Sequence, residues 1–407
     1  MICYIAIPTS LTLQSANALQ TFATLRELRA RRPDTLGIMP RWGREPSRFA
    51  ELGVVHLPRP AIGKLSRLYR STLWYYLEYS AFAWMCLPVV LEQMRAGHRI
   101  EAVYIRQSIC AAWWSGVIAP RLGNIPVIYE VHDLESRNPS RTREAWAQSL
   151  LHLIDRTALT RSAAVASLTD DFRHYLAGIG WRDRSEVAII PDAYDDRLFA
   201  PQDTATCRDR LHLPAEAEIV AYAGMTFAHR WLDGLLEAAA RLVPEHPRLH
   251  LVLVGGRPAE VDALRVQAAQ LGIAERVLLT GPRPQAEVVH YLNAADALVI
   301  PDTVTDMTAS PLKLFEYLAL GQPLVLPDLP ALREIVPPAL AHYFPRRNLP
   351  AFVNVLSTAL HARNDTARIA ARRALAYNHT YGRRAERILA LVEQVAQQEP
   401  TLHQAVR

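Results

Sequence analysis

The chain alternates short apolar runs with longer segments in which apolar residues recur at helical spacing. Short runs rich in Val, Ile and Tyr are typical of buried strands, and a repeat every three or four residues is typical of amphipathic helices. In the first half the predicted strands are ICYIAIP, LGIMP, VVHLP, AVYIRQ and PVIYEVHD. In the second half they are EIVAYAGM, LHLVLVGG, RVLLTG, ALVIP and PLVLP. This alternation predicts an α/β protein with parallel sheets.

The alternation stops and restarts once, which predicts two doubly wound sheets in tandem. At 407 residues the chain is long enough for two domains of roughly 200 residues each. Between the two halves, IIPDAYDDRLFAPQDT breaks the periodicity and predicts a linker. We therefore expect an N-terminal domain at residues 1–195 and a C-terminal domain at 196–377, with the helical tail of about residues 378–407 packing back on the first domain.

Composition is that of a globular protein with a large core, since half of the residues are hydrophobic and 21% are charged. No apolar run approaches the roughly 20 residues that cross a bilayer, and the N-terminal MICYIAIPTS lacks the basic region of a secretory signal. We therefore expect a cytoplasmic protein. The cysteines show no metal-type spacing and are predicted to be reduced, buried thiols: Cys3, Cys86, Cys110 and Cys207.

The formal net charge of +5 lies entirely in the first 199 residues. It is too small to indicate a nucleic-acid partner, and no nucleic-acid-binding motif is present. Residues 64–84 combine Lys64, Arg67 and Arg70 with a run of aromatic residues at the start of a long predicted helix, residues 64–95. Such a segment suits peripheral contact with the inner surface of a membrane, but an aromatic helix packed on a sheet is commoner and is the preferred interpretation.

The most informative stretch is SPLKLFEYLALGQP, residues 310–323, because it contains one of only two lysines among the 45 basic residues. With Ser310 as N-cap and Pro311 at the first helical position, Lys313 would fall in the first turn, where the helix dipole disfavours a cation. A solvated pair with Glu316, worth about 0.3 kcal/mol, is the ordinary explanation. A bound phosphate would instead make the cation favourable.

A second strand-to-helix corner repeats this feature. EIVAYAGM is followed by TFAHRWLDGLLEAAARLV, which places Arg230 at the start of the next predicted helix. Open α/β sheets bind ligands outside the carboxyl ends of their strands. Two cations at two such corners therefore predict a single diphosphate held between Arg230 and Lys313, although Arg230 alone would be read as a surface residue.

The second half resembles the donor domain of GT-B glycosyltransferases of family 4, the glycosyl transferases group 1. The resemblance covers about residues 186–340 and rests on AYAGM, AHRWLDGLLEA, LVLVGG, RVLLTG, YLNAADALVIP and SPLKLFEYLALGQPLVL in this order. The first half is similar more loosely, through AVYIRQ, IPVIYEVHD and VAIIPDAYDDRLFAP. The resemblance implies the GT-B architecture, in which two Rossmann-like doubly wound parallel-sheet domains face a central cleft.

The resemblance also implies an activity, namely that of a retaining glycosyltransferase. Such an enzyme moves a sugar from a nucleotide diphosphate sugar, with UDP and GDP sugars expected first, to a glycan, lipid-linked or small-molecule acceptor on the first domain. No metal or other cofactor is implied, because Arg230 and Lys313 would neutralise the leaving diphosphate. A sugar-nucleotide epimerase of the same fold and a non-catalytic, membrane-associated partner subunit remain alternatives. A dinucleotide-dependent oxidoreductase is the weakest rival, since no GxGxxG follows a strand.

Site residues are carried over from the resemblance onto matching positions. On the donor side, Glu316 would accept hydrogen bonds from the ribose, and the nucleobase would lie near Gly281 to Arg283. His132, after the strand in YEVHD, would meet the transferred sugar from across the cleft, with Glu130 or Asp133 orienting it or contacting the acceptor. The backbone around the phosphates would come from Gly224, Ser310 and Pro311.

Two departures from the family pattern concern ligand contacts. The loop PTSLTLQSANALQ contains no glycine where family members are glycine-rich, so its polar tips are the candidates for the acceptor side: Gln14, Ser15 and Asn17. Thr308 stands eight residues before Glu316, where many members have a second glutamate, and Asp306 is near enough to substitute for it.

Overall fold

The computed structural model describes residues 1–41, 43–60, 62, 73–137, 146–303 and 305–398. The chain divides into two compact units. The N-terminal unit comprises Met1–Pro191 together with the C-terminal segment that begins at Tyr381, and the C-terminal unit is Asp192–Thr380. The boundaries predicted from the sequence are 195 and 377.

The N-terminal unit is built on seven strands in the order β3-β2-β1-β4-β5-β6-β7, with every described pairing parallel. The strands are β1 Ile2–Ile5, β2 Leu36–Arg41, β3 Val55–Pro58, β4 Ala102–Ile105, β5 Val127–Val131, β6 Ala164–Ser167 and β7 Val187–Ile189. The first six helices are α1 Ala16–Arg31, α2 Leu73–Arg95, α3 Ser108–Trp113, α4 Ala119–Arg121, α5 Gln148–Arg161 and α6 Asp170–Gly178. A short π-helix, Trp114–Ile118, joins α3 to α4.

The C-terminal unit has a six-stranded sheet in the order β10-β9-β8-β11-β12-β13, again with parallel pairings. Its strands are β8 Glu218–Ala223, β9 Leu249–Val254, β10 Val277–Gly281, β11 Ala297–Val299, β12 Leu324–Pro327 and β13 His342–Phe344. Its helices are α7 Thr204–Arg210, α8 Leu232–Leu242, α9 Pro258–Gln270, α10 Gln285–Asn293, α11 Leu312–Leu320, α12 Pro330–Ile335, α13 Leu349–His361 and α14 Thr366–Tyr377.

Both sheets therefore follow the order 3-2-1-4-5-6 of a doubly wound Rossmann-like fold, which confirms the predicted fold class. All ten predicted strands are present. The strand order reverses between β1 and β4 in one unit and between β8 and β11 in the other. These reversal points are where such sheets bind ligands, beyond the carboxyl ends of the strands.

The last helix, α15 Tyr381–Gln398, packs against the N-terminal sheet rather than against the unit that precedes it in the chain. Its apolar residues recur at three- and four-residue spacing, so they form one stripe that is buried with α1 and the strands. The residues of this stripe are Ala385, Ile388, Leu391, Val392 and Val395.

The aromatic helix α2 buries three of its six aromatic side chains, as the preferred interpretation expected of a core helix. Tyr76, Tyr79 and Phe82 are buried, whereas Trp84 is 40% exposed. The basic residues of the membrane interpretation, Lys64, Arg67 and Arg70, lie outside the described residues.

Over the part of the chain that the structure describes, no helix is both long and apolar enough to cross a membrane. The prediction for the thiols is confirmed, since all four cysteines are free and buried.

Candidate functional site

The first candidate site lies where β8 and β11 run side by side in the C-terminal unit. Lys313, in the first turn of α11, reaches back over the end of β8. Its ammonium nitrogen lies 3.7 Å from the centre of the Tyr222 ring, a cation–π contact. A Cβ built on Gly224 would lie only 2.6 Å from the same nitrogen. Gly224 therefore provides the space that the Lys313 ammonium occupies.

Lys313 is not part of the solvated ion pair that would have explained it. Among the described residues, no carboxylate lies within 4.0 Å of its nitrogen, Glu316 included, and the ammonium has no hydrogen-bond acceptor. Burial lowers the pKa of Lys313 well below its usual value, and the positive charge of Arg230 lowers it further. A partly buried cation without a counter-ion raises the free energy of the folded protein.

Arg230 lies beside Lys313, although not at the start of a helix as predicted. It ends a 3₁₀ turn, Ala228–Arg230, and α8 begins two residues later, after Trp231 with φ 54°. The turn arises because the Trp231 ring packs on Phe344 and Phe352 and fixes the chain there. The Nε of Arg230 is buried and has no hydrogen-bond partner among the described residues. Two cations thus meet at this corner without an anion.

The start of α11 differs from the prediction by one residue. Pro311, not Ser310, is the N-cap, and the helix begins at Leu312. The prediction of Ser310 as N-cap was wrong because its hydroxyl accepts a hydrogen bond from the backbone N–H of Asp192, at 3.1 Å. Ser310 thereby anchors the preceding loop, while the first amides of α11 keep no intrahelical acceptor.

Glu316 lies one turn further along α11, and burial raises its pKa to about 7, although the charge of Lys313 opposes the shift. A carboxyl whose pKa is raised by folding contributes stability below its unfolded pKa of about 4.5, and this contribution is lost as the pH rises through about 7.

We expect Glu316→Gln to remove this pH dependence. The free energy of unfolding of the variant, relative to the wild type, should increase by about 2 to 3 kcal/mol between pH 4.5 and pH 8. Urea unfolding across this range measures it, with Glu287→Gln on the exposed side of α10 as the matched control. Parallel curves for Glu316→Gln and the wild type would show that burial does not perturb this carboxyl.

The loop between β11 and α11 is held by arginines that the sequence analysis did not single out. Asp302 is fully buried, and its carboxylate accepts hydrogen bonds from Arg346 at 2.5 Å and Arg347 at 2.8 Å. Arg346 also binds Asp306, at 2.5 Å. Asp306, the suggested substitute for the glutamate that Thr308 replaces, therefore already pairs with Arg346. Thr308 is buried, and its hydroxyl lies 3.0 Å from that of Thr305.

The predicted nucleobase region lies at the end of β10. Gly281 has φ 66°, and its carbonyl accepts the N–H of Gly255 at 2.9 Å, which ties β10 to the end of β9. The Arg283 side chain is largely exposed, with its nearest acidic group, Glu287, 3.8 Å away.

The second candidate site is a cavity of about 180 Å³ in the N-terminal unit. It lies beyond the carboxyl ends of β1, β4 and β5, at the reversal point of that sheet. Tyrosine rings, hydroxyls, amides and charged groups all face it. Its lining includes Thr9, Asn17, Thr21, Tyr75, Tyr79, Arg106, Gln107, Ser108, Tyr129, His132, Asp133 and Glu135.

The acceptor-side candidates do not all reach this cavity. Asn17 and Asp133 line it, whereas Gln14 is exposed and Ser15 does not line it. His132, the candidate for contact with the transferred sugar, also lines the cavity. Ser15 caps α1 by accepting the N–H of Ala18 at 3.2 Å. The glycine-free loop reaches its conformation with a left-handed residue, Leu13 at φ 61°.

His132 belongs to a buried polar network behind the cavity. Its Nε2 lies 2.6 Å from a carboxylate oxygen of Glu130, which is fully buried. The same carboxylate accepts from Arg106, at 3.1 Å, and from the hydroxyl of Tyr104. Arg384 of α15 lies 2.6 Å away. Burial acts to raise the pKa of Glu130, but the charges of Arg384 and Arg106 hold it well below its usual value.

Several of these residues escaped the sequence analysis because their partners lie far away in the chain. Arg106 follows the predicted strand AVYIRQ, so its place at a strand end was a usable signal. Arg346, Arg347 and Arg384 had no such signal. In the described residues, no group of three or more His, Cys, Asp or Glu side chains could hold a metal ion. Independence from metal ions stays a prediction.

Two family models match the chain. The model described as glycosyl transferases group 1 matches residues 203–374, within the C-terminal unit. The model described as glycosyl transferase 4-like domain matches residues 13–193, which contain the strands and helices of the N-terminal unit other than β1 and α15. The cavity residue Thr9 lies before this match.

Curated relatives match over part of their length. A D-inositol 3-phosphate glycosyltransferase of Frankia alni is 28% identical over 268 residues, which is 62% of this chain and 65% of the relative. A 2-deoxystreptamine glucosyltransferase of Streptomyces kanamyceticus is 25% identical over 236 residues, or 56% of this chain and 60% of the relative. The chain thus spans about half to two thirds of the length of such relatives.

Solved structures match over nearly the whole chain. Anabaena HepE in complex with UDP superposes with a TM-score of 0.74 at 17% identity, covering 97% of this chain and all of that protein. Sucrose-phosphate synthase of Thermosynechococcus elongatus superposes with a TM-score of 0.66 at 19% identity, covering 99% of this chain and 98% of that protein. These similarities show that the two units have the GT-B fold.

Proposed function

Because the chain belongs to the glycosyl transferases group 1 family and has the GT-B fold, we propose that it is a retaining glycosyltransferase. It transfers a sugar from a nucleotide diphosphate sugar to a saccharide, a lipid-linked acceptor or a small hydroxylated molecule. No metal ion is needed, because Arg230 and Lys313 supply the positive charge that the leaving diphosphate requires.

The observation that carries this proposal is the pair of cations without a counter-ion at the end of β8. Arg230 retains a buried, unpartnered Nε, and the Lys313 ammonium has no described carboxylate within 4.0 Å. Each lowers the stability of the ligand-free protein, so a diphosphate that bound both would relieve an existing cost as well as form new contacts. The guanidinium offers a planar donor pair and the ammonium a point charge, which together suit adjacent phosphates.

In the proposed reaction, the bond between the sugar and the diphosphate breaks and an acceptor hydroxyl attacks the same face of the sugar. The leaving phosphate oxygen takes the proton of that hydroxyl, so the chain needs no pair of catalytic carboxylates. Arg230 and Lys313 bind the charge that develops on the phosphate, and Glu316 binds the ribose. Removing one preorganised donor of this kind slows reactions by roughly 100- to 1,000-fold.

For the N-terminal unit we propose that His132 contacts the transferred sugar and that the cavity receives the acceptor. Its mixture of tyrosine rings, amides and hydroxyls is suited to a cyclic polyol, whose ring has apolar faces and polar edges. The relatives named above act on inositol 3-phosphate and 2-deoxystreptamine, which are both cyclic polyols or amino polyols.

A thermal-shift screen with UDP-, GDP- and ADP-glucose tests the donor. We expect one nucleotide sugar to stabilise the protein, by about 2.7 kcal/mol at 100 times its dissociation constant. UDP-glucose is the first candidate, because UDP-glucose is bound in one of the similar GT-B structures, Anabaena HepE. The corresponding nucleosides, which lack phosphate, serve as controls and should give no shift. Stabilisation by the nucleosides alone, or by none of the sugars, would contradict the proposal.

A further inference from the structure

Four polar groups contact the buried carboxylate of Glu130, two at each oxygen. Oε1 is approached by Nε of Arg106 at 3.1 Å and by Nε2 of His132 at 2.6 Å. Oε2 accepts the hydroxyl of Tyr104 and lies 2.6 Å from Nη2 of Arg384. An ionised carboxylate can only accept hydrogen bonds. The Nε2 of His132 must therefore carry the proton in this contact.

Because Arg106 also lies beside Nε2 of His132, that nitrogen has a partner in either neutral tautomer of the ring. The Nη2 of Arg106 lies 3.0 Å from the same Nε2. A guanidinium can only donate, so Arg106 could bond to Nε2 only if that nitrogen were unprotonated. The shorter approach, to a charged carboxylate, is the stronger bond. Glu130 thus selects between two tautomers that the surrounding groups could both accommodate.

We propose that Glu130, supported by Arg384 from the C-terminal helix and by Arg106, is a positioning residue that holds His132 as the Nε2–H tautomer. Nδ1 then remains as an unprotonated acceptor for a ligand hydroxyl at the cavity. The ring lines that cavity with 29% of its side chain exposed, and Nδ1 has no hydrogen-bond partner among the described residues. The role of this acceptor in sugar transfer rests on the proposed function, but the tautomer does not.

Arg384 adds a buried ionic contact to the packing of α15 on the N-terminal unit. It is 1% exposed at its side chain, and its Nη1 also donates to the carbonyl oxygens of Ile190, at 2.8 Å, and Pro191, at 2.5 Å. Helix α15 therefore contributes a buried positive charge to the N-terminal unit, in addition to its apolar stripe. The titratable and charged groups that face Glu130 come from several elements. Tyr4 lies in β1, Tyr104 in β4 and Arg384 in α15, while Arg106 follows β4 and His132 follows β5.

NMR of the full chain labelled with ¹⁵N-histidine tests the tautomer directly. The His132 signals are assigned by their loss in His132→Asn. At pH 8 we expect the wild type to carry the proton on Nε2 and Glu130→Gln to carry it on Nδ1, because the uncharged amide no longer outcompetes Arg106. A wild-type proton on Nδ1, or an unchanged tautomer in Glu130→Gln, would overturn the proposal.

Arg384→Met provides a second variant, with Arg383→Met on the same helix as the matched control. Arg383 pairs with Glu386 at the surface, 2.9 Å away. At pH 8, loss of the Arg384 contact leaves Oε2 of Glu130 without its ionic partner, so the carboxylate holds His132 less firmly and a larger share of the Nδ1–H tautomer is expected than in the wild type. Arg383→Met should follow the wild type. A tautomer ratio in Arg384→Met that coincides with that of the control would also overturn the proposal.

Release of UDP from UDP-glucose, with water as acceptor, links the tautomer to turnover. Glu130→Gln and His132→Asn should each lower the turnover number roughly 10- to 100-fold, and the double variant should be no slower than His132→Asn. Additive losses would mean that Glu130 acts independently of His132 and would contradict the positioning role. If the wild type released no UDP, the thermal-shift screen would decide whether UDP-glucose is the donor, and the NMR result would still decide the tautomer.

Discussion

Lys313→Met is expected to stabilise the ligand-free protein and to weaken its binding of a nucleotide sugar. The methionine keeps most of the volume of the lysine stem but removes a charge that burial and Arg230 both disfavour. Replacing a buried charge by an apolar group of similar size commonly stabilises a protein, here by about 1 kcal/mol or more. The dissociation constant for UDP-glucose should rise roughly 30- to 1,000-fold, the usual effect of removing one charged partner of a phosphate.

The opposite signs of the two effects make this test informative. Urea unfolding without ligand, at pH 6 where Glu316 is mostly protonated, gives the stability, and calorimetric titration gives the affinity. Arg265→Met is the matched control, because Arg265 is an exposed cation of the same unit, paired with Asp262 at 2.5 Å. It should change neither quantity by much. If Lys313→Met lowered the stability and left the affinity unchanged, Lys313 would be a structural residue.

Gly255→Ala is expected to have the largest effect on stability among single methyl additions at this site. Gly255 follows β9 with φ 115°, a conformation that side chains rarely adopt. A Cβ there would overlap the carbonyl oxygen of Gly224, which belongs to the backbone that lies under Lys313. Both backbone strain and the overlap must then be relieved by moving the end of β8, at a cost of about 3 kcal/mol.

Gly281→Ala is the matched control for this prediction. Gly281 also has a positive φ, 66°, but a Cβ on it would meet no atom within 4 Å. Only the strain of placing an alanine in the left-handed region should then destabilise the variant, by about 1 kcal/mol. Urea unfolding separates the two variants. Equal destabilisation of both variants would mean that the close approach to Gly224 is not a constraint.

The sequence was sufficient to predict most strands of both sheets and the proximity of Lys313 to Arg230. Each predicted strand is a short apolar run that contains at least one β-branched residue, which is a local signal. The missed strands are β6, β7 and β13; β6 reads AVAS, mostly small residues, β13 reads HYF, and β7 directly precedes the linker. Lys313 was recognisable because a lysine is rare in this chain and because it follows a strand.

What the sequence could not supply are contacts between distant segments. Ser310 has the chemistry of an N-cap, yet the backbone of Asp192 takes its hydroxyl, and no local rule anticipates this competition. Arg384 lies in a helix whose apolar stripe was predictable, but its buried contact with Glu130 depends on how that helix seats on the sheet. Arg230 was expected at a helix start, and the packing of Trp231 placed it in a 3₁₀ turn instead.

A crystal structure with a bound nucleoside diphosphate, UDP first, tests most directly whether Arg230 and Lys313 hold the phosphates. The predicted result is that the Arg230 guanidinium and the Lys313 ammonium both lie about 3 Å from phosphate oxygens, with the phosphates at the end of β8 near Gly224. Phosphates bound elsewhere in the C-terminal unit, or a Lys313 ammonium turned away toward Glu316 in that complex, would contradict the account.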